Sequence, residues 1–138
     1  MAVKGTDFVL SGPGGLQHRR KPGQEEHIMQ KGMVAWFRLR HPAMRHNLFA
    51  VPNGGRRDAA SGRRLKEEGV LAGVADLILL KSNRFYGALL IEVKTEKGRQ
   101  SGHQKEWESR ITADGYKYVV VRSLDEFISV VEDYLKDV

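Results

Sequence analysis

Apolar positions along this chain recur at helical spacing in some segments and run almost unbroken in others, and the alternation predicts its elements. From Glu25 to about Arg40, Glu26, Gln30, Met33 and Phe37 fall on one helical stripe, and Ile28, Ala35, Trp36 and Leu39 fall on a second. Pro42 ends this helix. A helix apolar on two sides is covered on both, by its own fold or by a partner subunit. Asn47 to Val51 predicts a short strand, followed by turn chemistry at Pro52-Asn53-Gly54-Gly55. Arg57 to Glu68 predicts a modest helix with Gly69 as its cap. Two apolar strands come next, ADLILL from Ala75 and LLIEVK ending at Lys94, joined by a polar loop over Lys81–Gly87. Ser101 to Asp114 predicts a further helix, KYVVVR at Lys117–Arg122 a strand, and Ser123 to Lys136 an amphipathic helix. Ser101 with Gln104, and Ser123 with Glu126, have capping-box spacing. Helices and strands in this order make an α/β sandwich around a mixed sheet.

Residues 1–24 differ from the rest. They hold Gly12-Pro13-Gly14-Gly15 and the basic run His18-Arg19-Arg20-Lys21 ahead of Pro22-Gly23. They are expected to form an arm, flexible or partner-clasping, carrying a short strand at Phe8–Leu10, while residues 25–138 form one folded domain.

Composition narrows the function classes. There is no cysteine among the 138 residues, which excludes disulfides, thiol catalysis and Cys-ligated zinc. The N-terminus lacks the apolar core of a signal peptide, and the longest apolar run, Gly69–Leu80, is too short to span a bilayer and contains Asp76. A cytoplasmic protein without a membrane partner is the expectation. Net charge is +6, but residues 123–138 carry −4, which leaves +10 on the remainder. Such a surplus suits a polyanion, nucleic acid first among them. The few scattered aromatics offer no stacking platform, favouring contact with the backbone over reading of bases.

The candidate chemistry sits in the two central strands. If their hairpin pairs symmetrically about Arg84, Asp76 lies opposite Glu92, and Lys94, two residues on, shares their face. Two carboxylates and an ammonium at the end of apolar strands are costly to place unless something uses them. A divalent cation held by the acids, with Lys94 beside the attacking water, accounts for all three and is the chemistry of a metal-dependent phosphodiesterase. A structural ion cluster across a hairpin is the plainer alternative.

Five blocks in order carry a family resemblance: Glu26-His27-Ile28-Met29-Gln30; Pro52-Asn53-Gly54-Gly55-Arg56; Gly69-Val70 to Gly73-Val74-Ala75-Asp76-Leu77; Ile91-Glu92-Val93-Lys94; and Ser101 through Gln104 to Trp107. Over roughly residues 25–135 the chain resembles the virus-type replication-repair nuclease (VRR-NUC) domain of the PD-(D/E)XK superfamily. Ala75 stands where that family usually has proline before the Asp, and Thr95 where it often has a basic residue. The proline supplies no ligand, so the metal site is expected to survive its loss.

The resemblance implies a restriction-endonuclease-like αβββαβ core, with a mixed central sheet flanked by helices. It implies a DNA endonuclease dependent on Mg²⁺ or Mn²⁺, with no small-molecule cofactor, of a kind found alone in bacteria and bacteriophages. Some members resemble Holliday-junction resolvases that act as homodimers, so branched, four-way DNA is the expected substrate. The alternatives are a flap or nicking endonuclease and a non-catalytic basic nucleic-acid-binding module. Asp76, Glu92 and the Val93 carbonyl would hold the metal, Glu26 would reach it directly or through water, and Lys94 would serve the attacking water. Gln30 would hold a water or Lys94. Gln104 is either a site residue or the capping partner of Ser101, and Trp107 reads as core. Asn53 and Gly54 either approach a phosphate or make a plain turn. Arg56, Arg57, Arg63 and Arg64 either contact the DNA backbone or form a solvated helix face.

Overall fold

The computed structural model describes residues 7–10, 16–19, 21–52 and 59–138. Asn53, Gly54, Arg56 and Arg57 therefore lie outside the described residues. Near the N-terminus, β1 (Asp7–Leu10) contains the expected strand and pairs antiparallel with β2 (Leu16–Arg19), Phe8 opposite His18. The order that follows is α1 (Pro22–Arg40), β3 (Leu48–Ala50), α2 (Ala59–Glu67), β4 (Leu77–Leu79), β5 (Leu89–Val93), α3 (Gly102–Ala113), β6 (Lys117–Val121) and α4 (Leu124–Leu135). Strands β3 to β6 form one sheet in sequence order, antiparallel except for the parallel β5–β6 pair. This is the mixed α/β sheet with flanking helices that the pattern predicts.

The strands β3 and β4 are shorter than expected, and the start of α1 also differs. Helix α1 starts at Pro22 rather than Glu25, because proline at the first helical position lacks only an N–H that would be unpaired there anyway. The Gly69 cap is as expected. Gly69 has φ +102°, its N–H donates to Lys66 O at 3.1 Å, and Val70 N–H donates to Leu65 O at 2.8 Å. That double bond is the Schellman closure of α2.

Strand alternation sends residues to opposite faces of the sheet. Leu77, Leu79, Leu89, Ile91 and Val93 share a core with Met33 and Phe37 of α1 and Phe127, Val131 and Tyr134 of α4. Ala75, Ala88, Leu90 and Tyr118 form a smaller core against Trp107 and Ile111 of α3. Trp107 meets the Tyr118 ring edge-on at 6.0 Å, so it is core as expected. The second stripe of α1 is covered in part. Trp36 packs edge-on against Phe127, whereas Ile28 and Leu39 are exposed, Leu39 to 85%.

The β4–β5 loop is pinned to α4. Asn83 Oδ1 accepts from the N–H groups of Phe85 and Tyr86, its Nδ2 donates to Tyr134 O at 3.1 Å, and Tyr134 Oη donates to Lys81 O at 2.6 Å. These bonds hold the hairpin in its register. No helix among the described residues is long and apolar enough to cross a membrane.

Candidate active site

The register of β4 and β5 builds the site. Leu77 pairs with Ile91 and Leu79 with Leu89, so the same register continued by one residue sets Asp76 opposite Glu92. The pairing is symmetric about Arg84, the condition on which the meeting of the two acids depended. Asp76 also finishes the ladder. Its Oδ2 accepts the Val93 N–H at 2.8 Å, and its own carbonyl accepts the Val51 N–H at 2.8 Å. The approach to Asp76 runs against the first turn of α3. At Gly73, with φ +91°, a Cβ would come within 2.4 Å of His103 O, so only glycine fits there. Ala75, in place of the usual proline, is fully buried in the smaller core.

Glu92 is the buried charged residue of the sheet, 2% exposed. Burial comes first among the influences on its carboxyl, with the adjoining Asp76 next. Together they push its pKa up to about 8, against the opposing effect of Lys94. Glu26 adds a smaller upward push, which places it within electrostatic reach. Oε2 of Glu92 accepts from Gln104 Nε2 at 2.9 Å and lies 3.7 Å from Lys94 Nζ. Its other oxygen, Oε1, is buried and meets no donor, and Glu92 can bond to the adjoining Asp76 only when one of the two carboxyls is protonated. A buried acceptor with no donor is costly, by about 1–3 kcal/mol and more for a charged group. An oxygen-seeking cation bound between Glu92 and Asp76 would satisfy it, so the residues present fit a hard divalent metal.

Gln104 is the capping partner of Ser101 and also bonds to Glu92. Its Oε1 accepts the Ser101 N–H at 2.8 Å and its N–H donates to Ser101 Oγ at 3.1 Å, a complete capping box. Its amide nitrogen is thereby the end left to face Glu92. The box at Ser123 is half made. Ser123 Oγ accepts from Glu126 N–H, but Glu126 Oε2 accepts from Arg122 N–H instead of Ser123.

The remaining site residues divide by location. Glu26 and Gln30 line a groove of about 680 Å³ between α1 and β3 that also reaches Asp76. Glu26 does not join the two sheet acids in a tight cluster, since among the described residues no group of three or more His, Cys, Asp or Glu side chains converges on one point. Arg63 and Arg64 are exposed on α2. Arg122 was not singled out from sequence, yet its Nη1 donates to the carbonyls of Thr95, Glu96 and Gly98 and so ties down the turn after Lys94. The signal for it was the parallel register, which sets Val121 beside Val93 and hence Arg122 beside Lys94.

Known proteins agree with this geometry. The VRR-NUC domain family matches residues 24–125. A solved structure described as a VRR_NUC domain protein is 26% identical with a TM-score of 0.72, the match covering 81% of this chain and 88% of that one. No curated protein matches the chain significantly. With both the fold and the ordered motifs in place, the chain belongs to the VRR-NUC family of nuclease domains, of the PD-(D/E)XK type.

Proposed function

We propose that this chain is a Mg²⁺- or Mn²⁺-dependent DNA endonuclease whose centre is Asp76, Glu92 and Lys94. The observation that carries the proposal is the buried, unpartnered Glu92 Oε1 beside a second carboxylate. Asp76, Glu92 and the Val93 carbonyl would hold the cation, with Glu26 reaching it through water. Two carboxylates, with water completing the shell, are an ordinary site for Mg²⁺. The bound ion supplies Lewis acidity toward the phosphate. Lys94, 14% exposed and 3.7 Å from Glu92, orients the attacking water and offsets charge on the phosphate as the P–O bond breaks. Gln104 holds Glu92 in place, and Gln30, on the groove wall, holds water or Lys94. Asn53, Gly54, Arg56, Arg57, Arg63 and Arg64 contact the DNA backbone.

The substrate we propose is branched, four-way DNA cut by a homodimer. The uncovered apolar residues Ile28 and Leu39 on α1 support a partner surface. The test is cleavage of labelled four-way junction, flap and linear duplex side by side in Mg²⁺ and Mn²⁺, with Asp76→Asn as control. Asparagine can still accept the Val93 N–H, so lost cleavage is not lost structure. Symmetric nicks confined to the junction are expected. Cutting of flap or duplex instead removes the junction proposal and keeps the nuclease. Cutting by Asp76→Asn at the wild-type rate refutes the assigned centre.

A further inference from the structure

The groove between α1 and β3 has a charge asymmetry along its length. Its two carboxylates, Glu26 and Asp76, stand with Gln30 at the end nearest the acid pair. From Lys31 onward the charged lining among the described residues is cationic, Lys31 and then Arg38. Both are exposed on α1. The rest of the lining is largely apolar, Val34 and Ala35 on the helix and Ala50, Val51 and Pro52 across the gap beside Asp76. An apolar floor under a cationic rim suits the sugars and phosphates of one nucleic-acid strand.

The spacing of the cations agrees. Lys31 and Arg38 are seven residues apart, about 10.5 Å along a helix rising 1.5 Å per residue. Two cations that far apart on one face of a helix can hold different phosphates of a single strand. We infer that this groove is the track for one DNA strand leaving the Asp76–Glu92 centre, with Lys31 holding a phosphate near the centre and Arg38 a phosphate farther along the same strand. The track rests on the nuclease proposal for its occupant and adds a directional footprint to it. The strand is gripped on one side of the cut, and the contacts are to phosphate rather than base, so they carry no sequence preference.

The test uses the full chain and labelled DNA oligonucleotides. Affinity is measured against salt, without divalent cations, for wild type and for Lys31→Gln/Arg38→Gln. Each lost phosphate contact lowers the slope of log K against log salt by about 0.7–0.9, so the double variant is expected to bind more weakly with a slope smaller by about 1.4–1.8. A single neutral methylphosphonate linkage is then walked along the strand. In wild type it should weaken binding at positions on one side of the cut only, and in Arg38→Gln the farther of these should become indifferent. An unchanged slope in the double variant, with circular dichroism showing an intact fold, overturns the track. So does a footprint symmetric about the cut. If wild type binds and cleaves DNA but the double variant behaves identically, the track alone fails. If wild type neither binds nor cleaves DNA, the nuclease proposal fails with it.

Discussion

On one face of the sheet, Leu77, Leu79, Leu89, Ile91 and Val93 are closed over by Met33, Phe37, Phe127 and Val131, all fully or almost fully buried. On the other, the strands present Ala75, Ala88, Leu90 and Tyr118 to α3, and in the same layer Glu92 is buried with one oxygen unpaired. The two faces share strands and backbone, so the difference lies in the side chains and in what covers them. The first face stabilises by removing apolar area from water. The second gives up some of that gain to hold a carboxylate where solvent does not reach, as sites built for a charged ligand do.

The contrast breaks most visibly under truncation. Phe127→Ala in the apolar core is expected to cost about 3–5 kcal/mol of unfolding free energy, read by urea denaturation. A loss below about 1 kcal/mol would mean that α4 is not part of the main core. The charged face should behave in the opposite sense. Without metal, Glu92→Leu is expected to leave stability unchanged or raise it, since well-packed apolar replacements of buried charge are often neutral or favourable.

Solution pH sharpens the same point. The folded pKa of Glu92, about 8, lies above its ordinary 4.5, so the native state binds this proton more tightly than the unfolded chain. The stability it contributes is complete below about 4.5 and is lost as pH rises through about 8. In EDTA, the melting temperature should therefore fall between these values more in wild type than in Glu92→Gln. Added Mn²⁺ at pH 8 should raise it in wild type only. Equal pH profiles for the two proteins would show that Glu92 is not the buried acid described.

Asp76 belongs to both regions, because its carboxylate faces Glu92 while its Oδ2 closes the ladder at Val93. Asp76→Ala should cost about 1–3 kcal/mol through the unpaired N–H, and Asp76→Asn clearly less, by thermal melts in EDTA. A modest loss is expected at Ser101. Loss of its cap in Ser101→Ala should cost about 1 kcal/mol and also reduce cleavage, because the same box sets which end of Gln104 faces Glu92. Ser101→Thr should restore both.

Much of this was legible in the sequence. The meeting of Asp76 and Glu92 followed from a hairpin loop whose midpoint was readable, and the sheet's order from the alternation of helical and unbroken apolar segments. Gln104 was readable as the cap of Ser101 but not at the same time as the donor to Glu92, since spacing says nothing of which amide end points where. The start of α1 was set too late because Pro22-Gly23 looks like a breaker until it occupies the first helical turn. Lys31 and Arg38 were hidden for another reason. Exposed cations on a helix acquire meaning only once β3 is known to form the opposite wall.

The central claim is that Glu92 is buried to hold a catalytic metal. Nicking of supercoiled DNA in Mn²⁺ by wild type and Glu92→Gln, alongside calorimetric Mn²⁺ titration of both, tests it directly. The account predicts nicking and Mn²⁺ binding by wild type, and in Glu92→Gln a loss of nicking on the order of a hundredfold or more together with weakened Mn²⁺ binding. Nicking and Mn²⁺ affinity at wild-type levels in Glu92→Gln would contradict it.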